Sequence, residues 1–297
     1  MGLDSVSHNE QRHAVITGIV LMCAGIALLT INDAIAKTLT SRHSPLQIIF
    51  LRNLIALPVA FAITLKMGGR NALRSYKPTA HLFRAILWVS SAVMFITSIK
   101  YLALAEATTL IFVAPLIITA ISAIVLKEHV GWRRWSAVVV GFVGLIIVIR
   151  PGSSTFHLVS LLPIGAAFLY AILMLGARWL DVRDSVWTLM LYLTASGALI
   201  SGIFMPFVWV EVQASDLWLF FSLAVVGTAG MTMLTQAFRF APAVVIAPFE
   251  YTAILWAVIL GWLFWKDVPD TLTFLGGAII ILSGIYIVWR EGATKAA

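Results

Sequence analysis

The stretch Lys100–Glu128, KYLALAEATTLIFVAPLIITAISAIVLKE, has a counterpart at Arg239–Asp267, RFAPAVVIAPFEYTAILWAVILGWLFWKD. The two align without a gap. A basic residue opens each, Ala114 falls on Ala253, and Lys127-Glu128 falls on Lys266-Asp267. With one residue inserted, Gly144 falls on Gly284, and a closing apolar run follows in both. Ten long apolar stretches surround these cassettes, five in each half. A unit with an odd number of spans, once duplicated, places its second copy upside down in the bilayer. Such inverted repeats are the architecture of transporters that open alternately to either side.

Hydrophobic residues make up 61% of the chain and charged residues 11%, with a mean hydropathy of +1.00. A soluble core cannot hide that much apolar surface, so the solvent is lipid. A spanning helix needs about 20 mostly apolar residues. Such segments are predicted at 14–36, 45–65, 81–99, 102–125, 135–150, 157–177, 186–208, 216–236, 243–264 and 272–289. Val138–Ile149 is apolar almost throughout, whereas barrel strands alternate polar and apolar positions. Only helices then satisfy their own backbone in hydrocarbon. The expected fold is an all-α membrane protein, ten transmembrane helices arranged as two inverted five-helix repeats.

Residues 1–13 are expected to form a mobile cytoplasmic tail, 14–150 the first repeat, 156–290 the second, and 291–297 a second cytoplasmic tail. Pro151-Gly152-Ser153-Ser154 supplies the linker. Arg12 followed by an apolar run and Ala34-Ile35-Ala36 imitates a signal peptide. The run is too long for that, Asp33 precedes the would-be cleavage site, and removal would break the five-plus-five count. The net charge of +7 fits the positive-inside rule better than an acidic partner or nucleic acid. With a cytoplasmic N-terminus, thirteen basic residues, among them Arg70, Arg74, Arg133 and Arg134, fall inside, against Lys37, Arg42, Lys100, Arg150 and Lys266 outside. That bias predicts a multi-pass protein of the cell inner membrane with both termini in the cytoplasm. Cys23 is the sole cysteine, so no intrachain disulfide or cysteine metal cluster can form.

Ionisable groups within spans are costly, about 2.5–3.5 kcal/mol each on insertion scales. Here they are Asp33, Arg52, Arg84, Glu106 and Glu250. Chain direction places Asp33, Arg52 and Glu106 toward the outer end and Arg84 and Glu250 toward the inner, as two gates about a central cavity require. Asp33 and Lys37 are four apart and share a helix face. They form either a local ion pair or a proton or cation site, with Asn32 adding an amide. Glu250 follows Pro248, whose missing donor frees carbonyls beside it. It is a candidate for proton coupling, or else a structural partner of Arg84 or Arg239. Pro115 is expected to kink the fourth span comparably. Among aromatics, Trp88, Tyr251 and Trp256 lie deepest, ahead of Tyr101, Phe112, Tyr170, Trp187 and Tyr192. Trp132, Trp135, Trp209, Trp218, Trp265 and Trp289 belong to the interfacial belts. Recurrent glycines suit close helix packing. No phosphate loop, zinc-ligand cluster or nucleophile elbow is present.

From Tyr101 to Pro151 the chain resembles the drug/metabolite transporter superfamily, EamA type. The matching residues read ALAEATTLIFVAPLIITAISAIVLKEHVGWRRWSAVVVGFVGLIIVIRPG. Arg239–Glu291 fits as a second copy, and FLRNLIALPVA around Arg52 resembles the family's second span. The resemblance implies ten helices, an inverted repeat, a central cavity and secondary transport. NDAIAK in the first span and APFEY in the ninth resemble the subset containing S-adenosylmethionine uptake carriers and riboflavin importers.

The expected function is a secondary transporter of a small organic metabolite, with riboflavin or S-adenosylmethionine uptake as the best substrate guess. Its alternatives are an exporter of amino acids or other metabolites and, in another class, a non-transporting membrane enzyme or scaffold. The candidate binding or coupling set is Asn32, Asp33, Lys37, Arg52, Arg84, Trp88, Glu106, Glu250, Tyr251 and Trp256. No catalytic residue, metal or cofactor is expected. Partners are the solute, protons and membrane lipids, with no nucleic acid and with a homodimer left open.

Overall fold

Each predicted apolar stretch forms helix in the computed structural model, which describes residues 3–127, 130–152, 157–181 and 183–295. Glu128 of the first cassette, Ser153-Ser154 of the linker and Phe156 at the predicted start of the second repeat lie outside the described residues. Helix α1 (Leu3–Leu39) begins at Leu3, within the segment predicted as a tail. Helix α2 (Pro45–Ile63) starts where the Ser44 hydroxyl accepts the Gln47 N–H at 3.2 Å, and it ends in a π-helical turn at Thr64–Gly68. Helix α3 (Pro78–Tyr101) has proline in its first turn, where a missing donor costs nothing.

The fourth span is broken as Pro115 predicted. Helix α4 (Leu104–Ile111) stops at Phe112, and α5 (Ala114–Ile124) restarts with Pro115 in its first turn. Helix α6 (Trp132–Ile149) closes the first repeat. The second repeat holds α7 (Leu161–Leu175), α8 (Val186–Ile203), a short α9 (Met205–Val208), α10 (Ala214–Phe240) and the single turn α11 (Ala243–Ile246). The ninth span opens as a 3-10 turn, Ala247–Tyr251, and becomes α12 (Thr252–Trp265). Helix α13 (Thr271–Lys295) is the last and carries most of the segment predicted as the second tail.

The sequence duplication has structural counterparts. In the gapless frame Phe112 falls on Tyr251, and the two broken spans resume regular helix within one residue of equivalent positions, at Ala114 and Thr252. Lys127 and Lys266, also equivalent, both take left-handed backbone, with φ of 54° and 60°. The packing is paired as well. α1 lies on α10 as α7 lies on α3; α1 meets α12 as α7 meets α4 and α5; α2 touches α10 as α8 touches α3. The contacts α2–α8, α4–α12 and α6–α13 are their own mates. In lipid, association rests on close packing and hydrogen bonds rather than on expulsion of water. Gly25 and Gly230 bring α1 and α10 together, since a Cβ on either would lie 3.0 Å from the other's carbonyl oxygen.

Polar groups tie the loops at both ends. On the face away from the termini, the Gln47 amide donates to the Val210 carbonyl at 2.6 Å and accepts the Val210 N–H at 3.1 Å. His43 Nε2 meets Asp216 there at 2.9 Å. On the terminal face, His81 Nε2 meets Asp184 at 3.1 Å, and the same carboxylate accepts Ser75 Oγ and Tyr76 N–H. His43 and Asp184 each directly precede a capping serine, Ser44 and Ser185. Asp216 and His81 each occupy the first turn of the helix they start, α10 and α3. The inverted repeat therefore makes the same buried bridge twice, with histidine and aspartate exchanged.

Candidate functional site

Asp33 on α1 and Arg52 on α2 lie within electrostatic reach of each other, and each is the charge that acts on the other. Both lie deep among the helices yet keep part of their surface accessible, so they border an internal space. The Arg52 guanidinium lies over the Trp88 ring, 5.8 Å from its centroid. Asn32 is buried and donates its amide to the Leu223 carbonyl at 2.6 Å, anchoring α1 to α10 beside the charges. Two glycines make the room. A Cβ on Gly227 would come within 2.7 Å of the Asn32 amide nitrogen and 3.0 Å of Arg52 Nη2. One on Gly197 would meet the amide nitrogen of Asn53, buried without a hydrogen-bond partner among the described residues, at 2.7 Å and the Trp88 ring at 3.1 Å.

A second group lies closer to the terminal face. Arg84, one helical turn from Trp88 on α3, donates to the Leu173 carbonyl. Tyr170, one turn before Leu173 on α7, is within electrostatic reach of both Arg84 and Glu250. Tyr170 is 40% exposed although it lies deep in the bundle, so its ring also borders internal space. Glu250 sits at the end of the 3-10 turn that opens the ninth span, and Tyr251 packs on Phe112 with centroids 4.8 Å apart. The repeat-equivalent residues thus touch ring to ring. Gly284 carries no Cβ where the Tyr251 hydroxyl lies, and any side chain there would overlap it. At 1.5 Å per residue, Glu250 lies roughly 9 Å to the terminal side of its span's midpoint and Asp33 roughly 10 Å to the far side of its own.

Several expectations need correction. Lys37 does not pair with Asp33. Its ammonium donates to the Leu102 carbonyl at 2.6 Å and lies 3.6 Å from Asp267, at the far face. The i,i+4 rule allowed the local pair, but the loops after α3 and α12 offer Lys37 oxygens, and Arg52 answers Asp33. Glu250 has no ion pair with Arg84 or Arg239, since Arg84 turns to Leu173 and Arg239 donates to Gln236 at 3.2 Å. Trp256 faces away from the cavity: it is 38% exposed and shares a stripe with exposed Ile259 and Leu263, toward lipid. Pro248 lies within the 3-10 turn before α12 rather than kinking a continuous helix. Glu106 stands apart from both groups, accepting Ser160 Oγ at 3.4 Å near Arg150 and Asp270.

Of the other aromatics, Tyr101 is exposed beneath Lys100, and Tyr192 hydrogen-bonds Ser75 and Leu73 at the terminal face. The sequence-based set left out Tyr170, Asn53, Gly197 and Gly227. An apolar cavity of about 490 Å³ lies elsewhere, between α2 and α8, lined by Leu57, Pro58, Phe61 and Leu191 among others. It holds none of the charged groups. No three metal-ligating side chains converge among the described residues.

The sequence profile of the EamA-like transporter family matches the chain twice, at residues 16–150 and 157–290. The S-adenosylmethionine uptake transporter of Rickettsia prowazekii is 25% identical, covering 95% of this chain and 96% of its own. The riboflavin transporter of Vibrio cholerae is 29% identical, covering 95% of each. The pseudopaline exporter CntI of Pseudomonas aeruginosa is 24% identical over 91% of this chain and 95% of its own. A solved crystal structure, 18% identical, superimposes with a TM-score of 0.63 over 92% of this chain and 98% of that one. At that identity the likeness shows the fold alone.

Proposed function

The chain belongs to the EamA-like transporter family and is a multi-pass membrane transport protein rather than an enzyme, and from that premise we propose that it carries a small organic metabolite by alternating access. The single observation that carries this is the pair of polar groups deep inside the bundle, Asp33–Arg52–Trp88 and Glu250–Tyr170 backed by the buried Tyr251, whose Asp33, Arg52, Trp88, Glu250 and Tyr170 keep accessible surface. A scaffold has no use for charges bordering an internal space, because burying them is costly. The broken fourth and ninth spans add irregular backbone where Phe112 meets Tyr251, which is tolerated at membrane depth where it is buried in protein or lines a cavity.

Uptake of S-adenosylmethionine or riboflavin is the favoured activity, supported by the full-length relatives named for those solutes. The exporter among the relatives keeps the opposite direction as the alternative. The count of basic residues favours the inner membrane with both termini cytoplasmic. Glu250 or Asp33 would link the cycle to protons, since a carboxylate in a low-dielectric interior needs a proton or a cation to neutralise it. The test is uptake of labelled S-adenosylmethionine, riboflavin and amino acids into vesicles holding the purified protein, with and without a pH gradient. Saturable uptake of one solute is expected. Uptake of none by folded protein would end the permease assignment, and transport indifferent to both pH and Glu250→Gln would end proton coupling through Glu250.

A further inference from the structure

The charges inside the bundle are unequally matched. Asp33 has the Arg52 charge within electrostatic reach, and Arg84 has the Leu173 carbonyl. Glu250 has neither an ion pair nor a hydrogen-bond donor among the described residues, and no cationic group acts on it. What surrounds it is aromatic. Tyr170 and Tyr251 are the side chains that feel its charge, and Tyr251 in turn rests on Phe112. Tyr170 opens onto internal space, so a solute in that space meets its ring and the carboxylate together.

A carboxylate taken from water without a counter-charge is destabilising by several kcal/mol. The faces of aromatic rings carry negative potential and add attraction for a cation, most of all where water is excluded. Glu250 also directly precedes Tyr251 and the first turn of the 14-residue α12, whose amino-terminal end favours a negative charge. A carboxylate walled by rings and left without a fixed cation is a vacant half of an ion pair when it is ionised. We propose that Glu250 and Tyr170, backed by the buried Tyr251 ring, bind the positive centre of the transported solute, an organic cation such as a sulfonium or ammonium. The Arg52–Trp88 pair further toward the far face then meets its planar part. This rests on the transport assignment and narrows it, because a neutral planar solute such as riboflavin leaves the Glu250 charge unanswered.

The experiment is competition and counterflow in vesicles containing the unmodified protein, with no imposed membrane potential, so that charge enters through binding alone. Labelled S-adenosylmethionine is expected to exchange, and excess S-methylmethionine, a sulfonium without the adenine ring, to inhibit it. S-adenosylhomocysteine keeps both ring systems and lacks the sulfonium, and it is expected to inhibit at least tenfold more weakly. Glu250→Gln is expected to raise the half-saturating concentration at least tenfold. Tyr170→Phe, which keeps the ring face, should preserve affinity that Tyr170→Leu loses. The wild-type competition does not depend on any variant folding. If riboflavin is carried and neither sulfonium compound inhibits it, the cation site is wrong while transport stands. Inhibition by S-adenosylhomocysteine equal to that by S-adenosylmethionine would also overturn it. If no solute exchanges at all, the transport assignment itself fails.

Discussion

Gly227→Ala is the substitution for which the geometry gives the clearest number. A Cβ at 227 would sit 2.7 Å from the Asn32 amide nitrogen, 3.0 Å from Arg52 Nη2 and 3.3 Å from Arg52 Nε, where ordinary contact begins at 3.4 Å. The Asn32 amide must therefore yield by 3.4 − 2.7 = 0.7 Å. It cannot do so freely, because it donates to the Leu223 carbonyl at 2.6 Å. Overpacking of this kind destabilises by about 1–3 kcal/mol. The same change removes a mid-helix glycine from α10, which stabilises by about 0.5–1 kcal/mol. The expected net loss is about 0–2.5 kcal/mol, small enough for the protein to fold. Transport should suffer more. Arg52 moves with Asn32, and each 1.4 kcal/mol of lost solute binding is a factor of about ten. The assays are thermal unfolding in detergent and initial uptake rate in vesicles. Gly131→Ala serves as control, since nothing lies within 4 Å of its added Cβ. A double-mutant cycle with Asn32→Ala should show coupling of at least about 0.5 kcal/mol. If Gly227→Ala matches Gly131→Ala in both stability and uptake, Gly227 does not shape the Asp33–Arg52 group.

Two other predictions concern the loops. Lys127 and Lys266 hold left-handed backbone with φ of 54° and 60°, a conformation that strains an L-residue by about 1 kcal/mol. Lys127→Gly and Lys266→Gly should each stabilise by about 0.5–1 kcal/mol in thermal unfolding, and a loss at both would contradict the strain. At the terminal face, burial alone would raise the Asp184 pKa, but the hydrogen bonds from Tyr76 N–H, His81 and Ser75 outweigh it and hold the carboxyl below its usual range. A folded value below the unfolded value of about 3.9 gives stability that is complete above about pH 4. That stability is lost as pH falls through the lowered value. The protection of the Tyr76 amide, its hydrogen exchange relative to the intrinsic rate at each pH, should fall only below about pH 4, and Asp184→Asn should abolish that dependence.

Much of the fold was legible because the bilayer constrains length and composition more tightly than water does. Apolar stretches of spanning length, broken by charged or proline-bearing loops, locate ten helices without any knowledge of contacts. The duplicated cassette added the inversion, and Pro115 marked a real break in the fourth span. The site was less legible, for a reason visible in α12. That helix is apolar on every side, so nothing in its sequence says which face turns inward, and Trp256 was assigned to the wrong one. Lys37 went astray differently. Local spacing offered Asp33, but its oxygens come from Leu102 and Asp267, far along the chain. Gly227 lies in the unbroken helix α10, and the space it leaves is filled by Asn32 and Arg52 from two other helices. Partners set by helix rotation leave no local trace.

The exchanged bridges, His43 with Asp216 and His81 with Asp184, bear on which halves can assemble. Each bridge takes one residue from each repeat. Two copies of the first repeat, set head to tail, would bring His43 against His81 twice and supply no carboxylate. Two copies of the second would bury Asp184 against Asp216, like charge against like. Only the unlike halves satisfy both faces, so the two repeats, though built on one scaffold, have become chemically dependent on each other. Expressed as separate polypeptides, the halves should select each other and reject their own kind.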